Sequence, residues 1–199
     1  MKKLFLSILA CSILLGCDNP VSKKIKEAKE NVSNTTRAVK EMTNLQDDIE
    51  ELQNVEPLTN EDLKKWLPDE IDGMKRISYK AGQMGMVQIA SAEAVYANED
   101  KTRKFKIEVI DGAGQMGAAA TAAMRIMFTQ EFEEESEYKT RRTTTKNGVK
   151  AIEEYRKNNN SSTIEFMKDK RFYLKATGTN MSLEETWDAI DDLDADDLS

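Results

Sequence analysis

The sequence predicts an α+β domain: an antiparallel sheet of about six or seven strands with two packed helices, preceded by a long N-terminal helix. Three observations carry this expectation. Phe105, Ile107 and Val109 alternate with Lys104, Lys106 and Glu108, giving one buried and one wet face, as in an antiparallel strand and unlike the doubly apolar strands of a parallel sheet. Asn147-Gly148 lies between two strand-like stretches and is a strong two-residue hairpin signal. Strand-like segments also come in runs, three before one helical stretch and four after it, instead of alternating singly with helices.

In chain order, residues 21–55 contain no glycine and follow Pro20, a composition that favours one long helix. Ile25, Val32 and Val39 keep one heptad position, whereas Thr35 and Gln46 interrupt the seam and Leu45 and Leu52 shift it. Residues 21–52 thus encode at most a weak coiled-coil dimer, the other readings being a spacer or a helix lying on the domain. Pro57 closes the segment, and Thr59 with Asp62 caps a short helix whose Leu63, Trp66 and Leu67 share a face before Pro68 stops it.

Strands are expected at 74–80, 86–97 and 103–111. A helix then runs over about 118–132, packed through Ala119, Ala122, Ala123, Ile126, Met127 and Phe132, with Glu133, Glu134 and Glu135 marking its exit into solvent. Four more strands follow at 138–145, 149–156, 163–168 and 172–176. A last helix is capped by Ser182 and Glu185 and turns Leu183, Trp187, Ile190 and Leu193 inward. The element order is loosely similar to that of PsbP-like envelope and thylakoid domains.

Composition excludes several functions. The chain has no histidine, which removes Ser-His-Asp and Cys-His catalysis and imidazole metal sites. Its 29 Lys and Arg stand against 36 Asp and Glu, for a formal charge of −7, which disfavours nucleic acid as a partner.

Lys2 and Lys3 precede an apolar run from Leu4 to Leu15, the charged region and short apolar core of an export signal, shorter than the ~20 residues that span a bilayer. The run ends in Leu14-Leu15-Gly16-Cys17, which resembles the lipobox of bacterial lipoproteins. That resemblance implies cleavage before Cys17, a diacylglycerol thioether on it, and usually an amide-linked acyl chain such as palmitate. The expected division is a signal peptide over 1–16, a lipid anchor and charged helical spacer over 17–56, and the α+β domain over 57–199. Cys11 and Cys17 are the two cysteines, so cleavage and acylation would leave the domain without a free thiol. Asp18 and Asn19 follow the anchor cysteine, and aspartate there resembles the signal that retains a lipoprotein in the inner membrane. It implies the periplasmic face of the inner membrane, with the outer membrane as the alternative.

Gly112, Gly114 and Gly117 match G-x-G-x-x-G between a strand and a helix, and the string GAGQMG resembles the fingerprint of hydroxyacyl dehydrogenases, which implies a bound dinucleotide. Three features oppose it. Asp111 would face a pyrophosphate; Thr143-Thr144-Thr145 runs into Lys146 with no acid to hold a ribose; the unit stands among hairpins. The glycines are expected to serve a tight strand exit and close helix packing, with no cofactor bound.

Met74, Met84, Met86, Met116, Met124 and Met127 could form a thioether site for copper(I), line a pocket for an apolar ligand, or fill core gaps. Asp192, Asp194 and Asp196 alternate as in a calcium loop but lack its glycine and closing glutamate, so a solvated acidic tail and no metal are expected. Lys139, Arg141 and Arg142 suggest a small basic strand face. The leading expectation is a non-enzymatic, lipid-anchored envelope protein whose domain binds another envelope component. A carrier or sensor of an apolar ligand in a Met-lined pocket comes second, and a dinucleotide enzyme using the three glycines third.

Overall fold

The computed structural model describes residues 43–83, 89–193 and 198. The chain divides into two units, Met1–Thr43 and Asn44–Ser199. Of the predicted helix over 21–55, residues 43–53 are described and helical, here α1, and Asn54 and Val55 already form a turn; residues 21–42, including most of the heptad pattern, lie outside the described residues.

The second unit is an antiparallel sheet flanked by helices. Among the described residues it has nine strands: β1 Glu70–Ile71, β2 Met74–Gln83, β3 Ala90–Ala97, β4 Lys104–Asp111, β5 Glu133–Glu135, β6 Lys139–Lys146, β7 Val149–Arg156, β8 Ser161–Lys168 and β9 Phe172–Thr179. The helices are α2 Asn60–Trp66, α3 Gly114–Thr129 and α4 Leu183–Asp191. Spatial order is β1-β2-β3-β4-β9-β8-β7-β6-β5, with every neighbouring pair antiparallel. Two hairpin runs thus meet at β4 and β9.

The expected six or seven strands become nine because each edge carries a short extra one. Glu133–Glu135, expected to leave into solvent, pairs with β6 and sets Glu133 opposite Arg142 and Glu134 opposite Arg141. Opposite charges across a ladder favour the pairing, so a run that looks like a solvated terminus becomes an edge strand. At the other edge β1 is two residues long, too short for its alternation to be read.

One face of the sheet carries the main core. Phe105, Ile107 and Val109 of β4 align with Tyr96, Ala94 and Ala92 of β3, and Leu174 and Ala176 of β9 extend the layer. Leu63 and Trp66 of α2, with Trp187 and Ile190 of α4, cover it. Tyr96 reaches through the layer and donates to the Pro68 carbonyl at 3.0 Å. Trp187 Nε1 donates to Glu153 Oε1 at 2.8 Å, and Arg142 holds the other oxygen at 3.0 Å, so this nearly buried carboxylate is paired on both sides.

The opposite face carries α3 and a smaller cluster of Phe128, Ile152 and Tyr173 with Ile110, Met124 and Met167 around it. The helix begins at Gly114, so the glycine motif runs into its first turn. Its packed side is Gly117, Ala118, Thr121, Arg125 and Phe128; Ala119, Ala123 and Ile126, expected inward, face out. A helix this rich in alanine is nearly uniform in apolarity, so its sequence does not set its phase.

Both predicted capping boxes are present, at Thr59 with Asp62 and Ser182 with Glu185. Asn147 and Gly148 take φ of +53° and +81°, positive at both centres as a type I′ hairpin requires. Hydrogen bonds from the backbone and side chain of Ser182, with a weaker attraction from Arg103, hold the Glu185 carboxyl below its ordinary pKa. A depressed folded pKa gives stability that is present above the unfolded value and lost as pH falls through the folded one. Glu185→Ala is expected to cost about 1 kcal/mol at neutral pH by urea denaturation, with the deficit shrinking in acid.

Candidate functional site

The three glycines lead into a close-packed junction. Asp111, at the end of β4, is fully buried and meets Arg171 in a two-pronged ion pair, Nε to Oδ1 at 2.8 Å and Nη2 to Oδ2 at 2.9 Å. Its oxygens also accept from Ala113 N at 2.9 Å and Leu58 N at 2.8 Å. Arg171 donates further to the Glu56 carbonyl at 3.2 Å. The carboxylate feared to repel a pyrophosphate is instead the anchor of the junction.

The glycines fit that role. A Cβ on Gly112 would lie 2.6 Å from the Arg171 carbonyl oxygen and 2.7 Å from Thr121 Oγ1; one on Gly117 would lie 2.6 Å from the Asp111 carbonyl oxygen. Gly114 takes φ of +74° against Pro57. Gly112 N donates to the Arg171 carbonyl at 2.9 Å, so an amide that a phosphate would require is already engaged. The cradle is filled by the protein itself.

Arg125 of α3 closes the junction from the helix side. Its Nε donates to the Lys170 carbonyl at 2.9 Å, within a turn where Asp169 and Lys170 hold φ of +48° and +55°. Such paired left-handed residues are strained, and the arginine together with the Lys170–Asp48 ion pair at 3.0 Å holds the turn in place. Burial lowers the Arg125 pKa, and Asp48 partly offsets this.

A second candidate is the part of the α3 face that α3 leaves open. Across it Lys80 lies opposite Glu93, Glu93 opposite Glu108, Glu108 opposite Lys175, and Lys175 opposite Glu165. Lys106 separates the adjoining glutamates, reaching Glu93 at 3.7 Å and Glu108 at 2.9 Å. Lys175 meets Glu165 at 3.7 Å. A hollow of about 440 Å³ lies over Lys80, Gly82, Ser91, Glu108, Ile110 and Tyr173. Burial, reinforced by Glu165 and Glu108, raises the pKa of the Tyr173 hydroxyl well above the ordinary tyrosine value.

The other predicted site residues do not gather. Met74 is buried in the main core, Met124 and Met127 pack on the opposite face, and Met116 is 46% exposed; Met84 and Met86 lie outside the described residues. Strand alternation also splits the predicted basic face: Lys139 and Arg141 border the open face with Glu154, whereas Arg142 turns to Glu153 on the core side. Asp192 accepts from Asp72 N at 3.1 Å; Asp194 and Asp196, like Cys17, Asp18 and Asn19, lie outside the described residues. No cluster of three metal-ligating side chains occurs among the described residues.

Arg171→Ala would leave Asp111 buried and uncompensated, and is expected to cost about 3–5 kcal/mol in urea denaturation. Gly112→Ala is expected to cost about 1–3 kcal/mol through overpacking. Saturating NAD should leave the melting temperature of the full chain unchanged; an upward shift would restore the glycine turn as a cofactor site.

No family model and no curated protein matches the chain. Among solved structures it is similar to a Thermotoga maritima protein described as a GTP binding regulator, at 15% identity over 60% of this chain and 77% of that one, with a TM-score of 0.29. So small an overlap gives no ground for a shared fold or a shared ligand.

Proposed function

We propose that the chain is a lipid-anchored bacterial envelope protein that binds another envelope component without catalysing a reaction on it. The observation that carries this reading is the segment from Lys2 to Cys17: paired lysines, a short apolar run, and Leu14-Leu15-Gly16-Cys17 at its end. Acylation at Cys17 would hold the domain at a membrane, since two chains anchor far more firmly than one. Asp18 and Asn19 favour the periplasmic side of the inner membrane.

The open part of the sheet is the surface we assign to the partner. Its lysines and glutamates are mutually paired, with Lys106 bridging the adjoining Glu93 and Glu108, so an incoming protein would exchange these ion pairs for its own. Such a face selects by electrostatic fit rather than by bulk affinity. The dinucleotide reading is disfavoured because Arg171, Thr121 and Arg125 fill the space beside Gly112.

Intact mass of the protein recovered from the membranes of its source cells tests the anchor. A mass equal to residues 17–199 plus acyl groups is expected. The unprocessed, unacylated chain would overturn the reading and make a cytoplasmic role the starting point. For the binding surface, charge reversal at Lys175→Glu is expected to weaken partner capture by cross-linking in a salt-dependent way, while circular dichroism stays native.

A further inference from the structure

Where the open face reaches β6 and β7, cations outnumber carboxylates. A hollow of about 250 Å³ there is lined by Lys139, Arg141, Arg156 and Lys175 against Glu154 and Glu165, an excess of positive charge on a chain whose formal charge is −7. The larger hollow beside it is balanced, with Lys80 and Lys175 against Glu93 and Glu108. Of the two, the smaller one has charge left to satisfy.

The excess is concentrated on guanidinium groups. Glu154 serves both arginines: Arg156 Nε donates to it at 2.7 Å, whereas Arg141 Nε stops at 3.7 Å, beyond hydrogen-bond range. Among the described residues the Arg141 side chain makes no hydrogen bond. What places it is Phe132, whose ring centroid lies 4.9 Å from its Cζ. A guanidinium is thus positioned by stacking while its donors stay unengaged, the arrangement that grips an oxyanion with two prongs.

The neighbouring register points the same way. Lys139 and Arg156 stand directly opposite each other across β6 and β7, a like-charge pair that is unfavourable until an anion lies between them. Lys139 also meets Glu134 at 3.1 Å and Lys175 meets Glu165 at 3.7 Å, so the lysines are partly neutralised and the arginines carry the excess.

We propose that this hollow binds the phosphate of a small phosphomonoester, gripped by Arg141, with Arg156 and Lys139 completing the charge. Four cations against two carboxylates leave two positive charges, which match the roughly −1.5 to −2 of a phosphomonoester at neutral pH better than the single charge of a carboxylate. The volume admits a phosphate with several waters, each of which takes about 30 Å³. This ligand site needs no protein on the open face, and its test leaves Lys175 unchanged.

Isothermal titration of the full chain in a maltoside detergent with inorganic phosphate, at constant ionic strength, tests this. Saturable binding is expected, weakened about tenfold by Arg141→Gln. Glu154→Gln removes the competing carboxylate and is expected to tighten binding about threefold. A fold defect would weaken both variants, so their opposite signs identify the site. Because Arg141 also faces Glu134 of β5, Arg156→Gln, whose parent side chain is 58% exposed, serves as a second loss variant and is expected to weaken binding severalfold. Absence of saturable binding would overturn the proposal. So would phosphate binding that none of the three substitutions alters, or an equal affinity for acetate.

Discussion

The fold of the second unit turns on the ion pair between Asp111 and Arg171. It joins the end of β4 to the turn before β9, the two strands at which the hairpin runs meet in the middle of the sheet. The same carboxylate caps the Ala113 amide and receives Leu58 N, while Arg171 reaches the Glu56 carbonyl. Three segments distant in sequence, at 56–58, 111–113 and 171, are thereby referred to one buried group. A lone buried carboxylate would be costly, and here the ion pair and hydrogen bonds jointly offset its desolvation.

The glycine turn is a consequence of that junction. With Asp111 held inward, the chain must reverse immediately and start α3 against the Arg171 carbonyl, which leaves no room for a Cβ at Gly112 or Gly117. A spacing that elsewhere admits a pyrophosphate here admits the protein's own backbone. The same departure angle sets the phase of α3: Thr121, Arg125 and Phe128 face the sheet, and the alanine-rich opposite side is left facing out.

The two faces of the sheet have different chemistry for a simple reason. Strand alternation sends aromatic and aliphatic residues of β3, β4 and β9 to the side that α2 and α4 cover, and sends lysine and glutamate to the other. α3 shields part of that second side, so Tyr173 and Ile110 are packed at the border of the hollow that Lys80, Glu93 and Lys175 also line. Cross-strand pairing there is local electrostatics, with Lys106 lying between Glu93 and Glu108.

By itself the sequence determined the features that depend on near neighbours. These are the alternation of β4, the Asn147-Gly148 hairpin, both capping boxes and the antiparallel α+β class, each set by residues within a few positions of one another. It also contains the lipobox-like segment, which is read as a linear pattern. What only the tertiary structure decided lies across long separations. Asp111 and Arg171 are 60 residues apart, so no local pattern announces their pairing. The edge strand at Glu133–Glu135 depends on Arg141 and Arg142 arriving opposite it. The outward phase of α3 depends on a junction its alanines do not encode. Short-range periodicity fixes what an element is, whereas its neighbour and its buried side are fixed by contacts that exist only once the sheet has closed around Asp111.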